Sequence, residues 1–169
     1  VQLIAVFLIC SALNGLASSQ KQYHIPSFRT NWFKANEFCN SIGMQLATIK
    51  SRAENDALAE YIRSTDKFNE VSSSFWLGGT DLAEQGTWTW TSTSALVTFT
   101  NWTPGEPNNG GGVEHCIQLV YIPKLGQRWT WNDNNCQTRS YYFVCENRPG
   151  CFRFVIISDD KFLGNNTSL

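Results

Sequence analysis

The chain has 169 residues, and 13 Lys and Arg stand against 14 Asp and Glu, giving a formal net charge of -1. The basic residues are scattered, which argues against nucleic acid as the main partner. The length suits one domain of ordinary size, and no internal repeat or low-complexity segment is visible.

In chain order, the first feature is the apolar run Leu3 to Cys10, followed by the small and polar residues Ala17-Ser18-Ser19-Gln20. It reads as a secretory signal peptide over 1–19, cut near Ala17 or Ser19, and is too short to span a bilayer. No Met and no basic residue precedes the run, as expected of a sequence truncated at its N terminus. No later segment resembles a transmembrane helix, so the expected location is secreted. Of the six cysteines, Cys10 leaves with the signal, and Cys39, Cys116, Cys136, Cys145 and Cys151 remain. In an oxidising compartment these default to disulfides, the odd one being free or paired with another chain. Spacing alone does not settle the pairing. Zinc is disfavoured, because there is no CxxC pair and only His24 and His115 could assist.

Tyr23-His24-Ile25 reads as a first strand. Thr30 or Asn31 can cap a helix with the inner stripe Trp32, Ala35, Cys39 and Ile42, stopped at Gly43. Met44 to Ile49 alternates like a strand. Ser51 and Glu54 form a capping-box pattern, opening a second helix that bears Ala53, Leu58, Tyr61 and Ile62. Phe75-Trp76-Leu77-Gly78-Gly79 reads as a strand running into a turn. Trp88-Thr89-Trp90 reads as a strand with both rings on one face. Prolines and glycines mark a long loop from Asn101 to Gly112, and loops of that length inside a domain are usually functional. Strands resume at 116–121, 128–131 and 141–145. The class is α+β.

The chemistry is concentrated in the long loop and in the strands C-terminal to it. Glu106 and Asn108 flank Pro107, Glu114 lies two residues before Cys116, and Asn132 and Asp133 are adjacent. Five oxygen-bearing side chains in this order look like one calcium site, since Ca²⁺ takes six to eight hard oxygens. Five side chains leave the ion incompletely ligated, so water or a ligand's hydroxyls must complete it. Singly, a Glu-Pro-Asn triplet is an ordinary turn and Trp-Asn-Asp a strand end; together they carry the reading.

The calcium segments, with Cys39, Trp76-Leu77-Gly78-Gly79, Trp88-x-Trp90, Glu114-x-Cys116, Cys136 and Phe143-Val144-Cys145-Glu146, resemble the C-type lectin-like domain over about Tyr23 to Asn147. The resemblance implies the short form of that fold over 21–148: two helices, antiparallel sheets and a long calcium-binding loop. It implies disulfides Cys39–Cys145 and Cys116–Cys136, the first worth about 4–5 kcal/mol on a chain-entropy argument. It also implies that Glu106, Asn108, Glu114, Asn132 and Asp133 bind both Ca²⁺ and sugar, with Pro107 cis. Two vicinal hydroxyls would complete the ion's ligands; Glu106 and Glu114 accept from them, while the amides of Asn108 and Asn132 donate. In the family the Glu-Pro-Asn order goes with mannose, glucose, N-acetylglucosamine and fucose, and Gln-Pro-Asp with galactose. The run Gly110-Gly111-Gly112 also occurs in galactose-type members, where such a loop holds an aromatic ring, but here Asn109 follows Asn108.

Asp81 matches one position of the family's auxiliary calcium site, but Gln85, Asn109 and His115 are not acidic, so a second ion is expected to bind weakly or not at all. His115 reads as a strand residue facing solvent or a neighbour. The tail 149–169 has no counterpart in the domain; Cys151 and the apolar run after it read as an extra strand, a homodimerisation segment, or intron read-through. Sequons begin at Asn101, Asn165 and Asn166. The leading reading is a secreted, calcium-dependent lectin for mannose-type glycans, as in innate recognition. The alternatives are a galactose-binding lectin and a protein-binding lectin-like domain of the venom or salivary kind. Two histidines and no paired nucleophile and base argue against an enzyme.

Overall fold

The computed structural model describes residues 21–148. The signal peptide, Cys151, the tail and the sequons at Asn165 and Asn166 lie outside the described residues. Strand β1 (Tyr23–His24) leads to helix α1 (Trp32–Ser41), β2 (Met44–Leu46) and helix α2 (Arg52–Arg63). The chain continues through β3 (Ser73–Thr80), β4 (Thr89–Trp90), β5 (Ala95–Leu96), β6 (Cys116–Ile122), β7 (Gln127–Asn134), β8 (Tyr142–Phe143) and β9 (Cys145–Asn147). One sheet runs β1-β9-β2 and ties the two ends of the domain together. The larger runs β5-β4-β3-β6-β7, with β8 parallel to β3.

Both helices start at their expected caps. The Asn31 side chain accepts from the Lys34 N–H at 3.0 Å, and Ser51 Oγ accepts from the Glu54 N–H at 3.2 Å. The reciprocal arm differs from a capping box, because Glu54 reaches back to the N–H of Lys50 at 2.9 Å, outside the helix. Helix α1 buries Trp32, Ala35 and Cys39 as expected, but Ile42 is its C-cap and is exposed. Helix α2 buries Asn55, Leu58, Ala59 and Ile62, while Ala53 faces solvent. The strand expected over 44–49 ends at Leu46, because its partner β9 offers only Cys145–Asn147. Thr48 instead turns its hydroxyl to buried Glu146 at 2.8 Å.

The core has two parts. Beneath α1 and beside both disulfides, Trp32, Leu46, Trp76 and Phe143 pack together. Cys39–Cys145 and Cys116–Cys136 are both formed, each with Cα atoms 5.4 Å apart, in the expected pairing. The second part joins α2 to the large sheet through Leu58, Ile62, Phe75, Ile117 and Trp131. Gly79 sits where a Cβ would lie 2.2 Å from the Ile117 side chain, so only glycine lets β3 approach that closely. Of Trp88 and Trp90, only Trp90 lies within a strand. Trp90 meets Trp131 edge-on at 6.0 Å, while half-buried Trp88 packs on Trp102 at 5.0 Å. These rings serve one purpose: Trp102 and Phe99, at the entry of the long loop, both rest edge-on against Trp131 of β7. The loop is therefore anchored by aromatic packing although it holds little regular structure.

Candidate calcium and carbohydrate site

The long loop meets the end of β7. Asn132 and Asp133 lie among the last three residues of β7, which runs past the expected 128–131 to Asn134, and pair with Gln118 and Ile117 of β6. Asp133 is 1% exposed. Its Oδ1 accepts from the Asn108 N–H at 3.0 Å and its Oδ2 from the Asn109 N–H at 2.7 Å. One buried carboxylate thus holds the loop just past Pro107, whose bond to Glu106 is cis. Glu114 is placed from the other direction: its N–H donates to Asn109 Oδ1 at 3.0 Å, and its Oε2 accepts from the Gly110 N–H at 3.0 Å.

Electrostatics make the arrangement costly as it stands. The Glu106 carboxyl is held above the usual carboxylate range, first by burial, then by contact with Asp133 and by the charges of Asp133 and Glu114, against the Asn108 N–H. Glu114 is raised too, by burial and by Asp133; the Gly110 N–H and the charge of Arg139 pull the other way. Glu106 Oε2 is buried with no hydrogen-bond partner. A Cβ on Gly110 would lie 2.7 Å from Glu114 Oε2 and 3.2 Å from Asn108 Oδ1, so these two oxygens converge over a hollow that glycine leaves open. Crowded carboxylates, an orphaned oxygen and converging amide and carboxylate oxygens fit a hard divalent cation. Among the described residues, no group of three or more His, Cys, Asp and Glu side chains is by itself placed to hold a metal.

Behind the site lies a polar network that none of the sequence motifs includes. Gln118 Oε1 accepts from Asn132 Nδ2 at 3.1 Å and from Asn134 Nδ2 at 2.9 Å, and Gln118 Nε2 donates to Ser74 Oγ at 2.8 Å. Asn134 also donates to the Tyr141 hydroxyl at 3.2 Å. The clearest sequence signal among these residues is Gln118, a polar side chain inside the otherwise largely apolar strand Cys116–Ile122. The second hydrogen of the Asn132 amide goes to the Asp133 carbonyl. Asn132, expected to donate outward, therefore has both amide hydrogens engaged inside the protein, whereas Asn108 is exposed.

His115 does not face solvent freely. Its Nδ1 lies 2.9 Å from Asp81 Oδ1, and Asp81 Oδ2 accepts from the Gly86 N–H at 2.8 Å. Asp81 is 4% exposed. The acidic residue matched to an auxiliary ion is thus already engaged with protein donors. Among the described residues, no helix is long and apolar enough to cross a membrane.

Comparison with known proteins agrees with this architecture. The family model for the lectin C-type domain matches residues 28–147. C-type lectin mosGCTL-7 of Aedes aegypti is 38% identical over 154 residues, covering 91% of this chain and 99% of that protein. Salivary C-type lectin 1 of Aedes albopictus is 30% identical over 145 residues, covering 82% and 94%. The cow C-type carbohydrate-recognition domain of CD23, crystallised in the presence of a GlcNAc2Man3 oligosaccharide, superposes with a TM-score of 0.62 at 28% identity over 79% of this chain and 92% of that one. With the family model matched over most of its length, the chain belongs to the C-type lectin family, whose members are carbohydrate-binding proteins rather than enzymes.

Proposed function

We propose that this protein is a secreted lectin that binds mannose-type sugars through a calcium ion held by Glu106, Asn108, Glu114, Asn132 and Asp133. The observation that supports it most is the buried, unpartnered Glu106 Oε2 beside two further carboxylates. A cation offers the partner that this oxygen lacks. When bound, calcium would supply coordination positions that a pair of vicinal hydroxyls can complete. Glu106 and Glu114 would accept hydrogen bonds from the hydroxyls, and the exposed Asn108 amide would donate. Donation by Asn132 requires release of the hydrogen now held by the Asp133 carbonyl, so Asn108 is the principal donor in this reading.

The Glu-Pro-Asn order favours mannose, fucose and N-acetylglucosamine over galactose. From Asn109 to Val113 the loop contains no aromatic ring to stack on the apolar face of galactose. Secretion is supported by the N-terminal apolar run and by two disulfides, which persist in oxidising compartments. Retention on mannose-agarose in calcium, with release by a chelator, is the expected result. Displacement by free galactose better than by mannose or fucose would overturn the specificity. Calcium-independent behaviour would overturn the mechanism.

A further inference from the structure

The sequon Asn101-Trp102-Thr103 stands at the entry of the calcium loop, and both its Asn side-chain N–H and its Thr hydroxyl are engaged with β7. The Asn101 side-chain N–H donates to the Trp129 carbonyl at 2.7 Å. The Thr103 and Thr130 hydroxyls share a hydrogen bond of 2.7 Å. Between them the backbone forms a bridge: the Trp131 N–H donates to Asn101 O and the Thr103 N–H to Trp131 O, both at 2.8 Å. Trp129 has a left-handed backbone, with φ at 60°, which a bulky residue rarely adopts. Its carbonyl collects two amides, Asn101 and, at 3.1 Å, Asn55. Asn55 in turn accepts from the indole N–H of Trp131 at 2.9 Å. One further turn runs from this clamp into the site, as the Glu106 N–H donates to Thr103 O at 2.9 Å.

We infer that Asn101 is a positioning residue and not a glycan attachment site: its amide pins the loop to β7 and so sets Glu106 and Asn108 against Asn132 and Asp133. The nitrogen that would carry the glycan is the one that bonds to Trp129. This positioning role rests on the proposed calcium site, whereas the absence of a glycan does not. The test uses the full chain secreted from insect cells. Peptide mapping is expected to find Asn101 unmodified. N101A should raise the half-saturating calcium concentration about fivefold, the scale of one lost hydrogen bond, and leave sugar affinity at saturating calcium within about twofold. T103S, which keeps both hydroxyl and sequon, should keep wild-type calcium binding and add no glycan mass, whereas T103V should weaken calcium binding. A glycan on Asn101 in the sugar-retained fraction, or an N101A calcium titration that matches wild type, would overturn the inference. A wild-type protein without any calcium response would overturn the calcium site and the positioning role with it; the peptide map would still decide the glycan.

Discussion

Glu106 and Glu114 hold protons more tightly in the folded, ion-free domain than carboxyls do in an unfolded chain, because burial and neighbouring charge both penalise ionisation. A raised folded-state pKa means that the stabilisation from these groups is complete below the ordinary carboxylate range. It is lost as pH rises through the raised values. The ion-free domain should therefore melt higher in mild acid than at neutral pH as far as these groups decide it. E106Q should raise the ion-free Tm at pH 7 and abolish the further rise on adding calcium; scanning calorimetry with and without a chelator measures both. Calcium requires the ionised forms, so sugar-column retention should fail on acidification, at a midpoint that moves lower when calcium is raised. A midpoint indifferent to calcium would count against an ion in the site. At Gly110 the expectation is steric. G110A places a methyl 2.7 Å from Glu114 Oε2 and should weaken calcium binding about tenfold while the far-ultraviolet circular dichroism stays unchanged.

Among the elements, the small sheet depends on one ion cluster. Lys21 Nζ lies 2.8 Å from Glu54 Oε2 of α2 and 3.0 Å from Glu146 Oε2 of β9, and also donates to the Thr48 carbonyl. Burial alone would raise the Glu54 carboxyl, but hydrogen bonds from Lys21 and from the Lys50 N–H, together with the charges of both lysines, outweigh it and hold that group low. Gln45 Nε2 and the Thr48 hydroxyl cover Glu146 Oε1. Removing the ammonium leaves a carboxylate with 2% side-chain exposure unpaired. K21M should therefore cost about 3 kcal/mol of unfolding free energy in urea titrations, with sugar specificity unchanged. Where the helices begin was legible in the sequence, since Asn31 and Ser51 act on N–H groups three residues away. Which side of each helix is buried was legible only in part. Ile42 and Ala53 fit a periodic stripe but sit at helix ends, where the neighbouring element stops covering them. Asn55 defied the apolar pattern because its amide serves Trp129 and Trp131, both more than 70 positions away.

At the scale of the molecule, Cys39–Cys145 closes a sequence separation of 106 residues around the whole domain. The double variant C39A/C145A should lose about 4–5 kcal/mol of stability, seen as a lowered urea midpoint, while non-reducing peptide maps of the wild type should recover both expected pairs. By itself the sequence determined the class, the family resemblance, the disulfide partners that resemblance implies and the five candidate ligands. These rest on residue identity and order, and a carboxylate or an amide keeps its donor and acceptor inventory wherever it lies. Only the tertiary structure decided how those groups are held. Asp133 spends both oxygens on the loop backbone, Gln118 fixes Asn132 from the adjacent strand, and His115 engages Asp81. Each of these contacts joins positions 14 to 34 residues apart, and such pairings are set by strand register and packing rather than by local spacing.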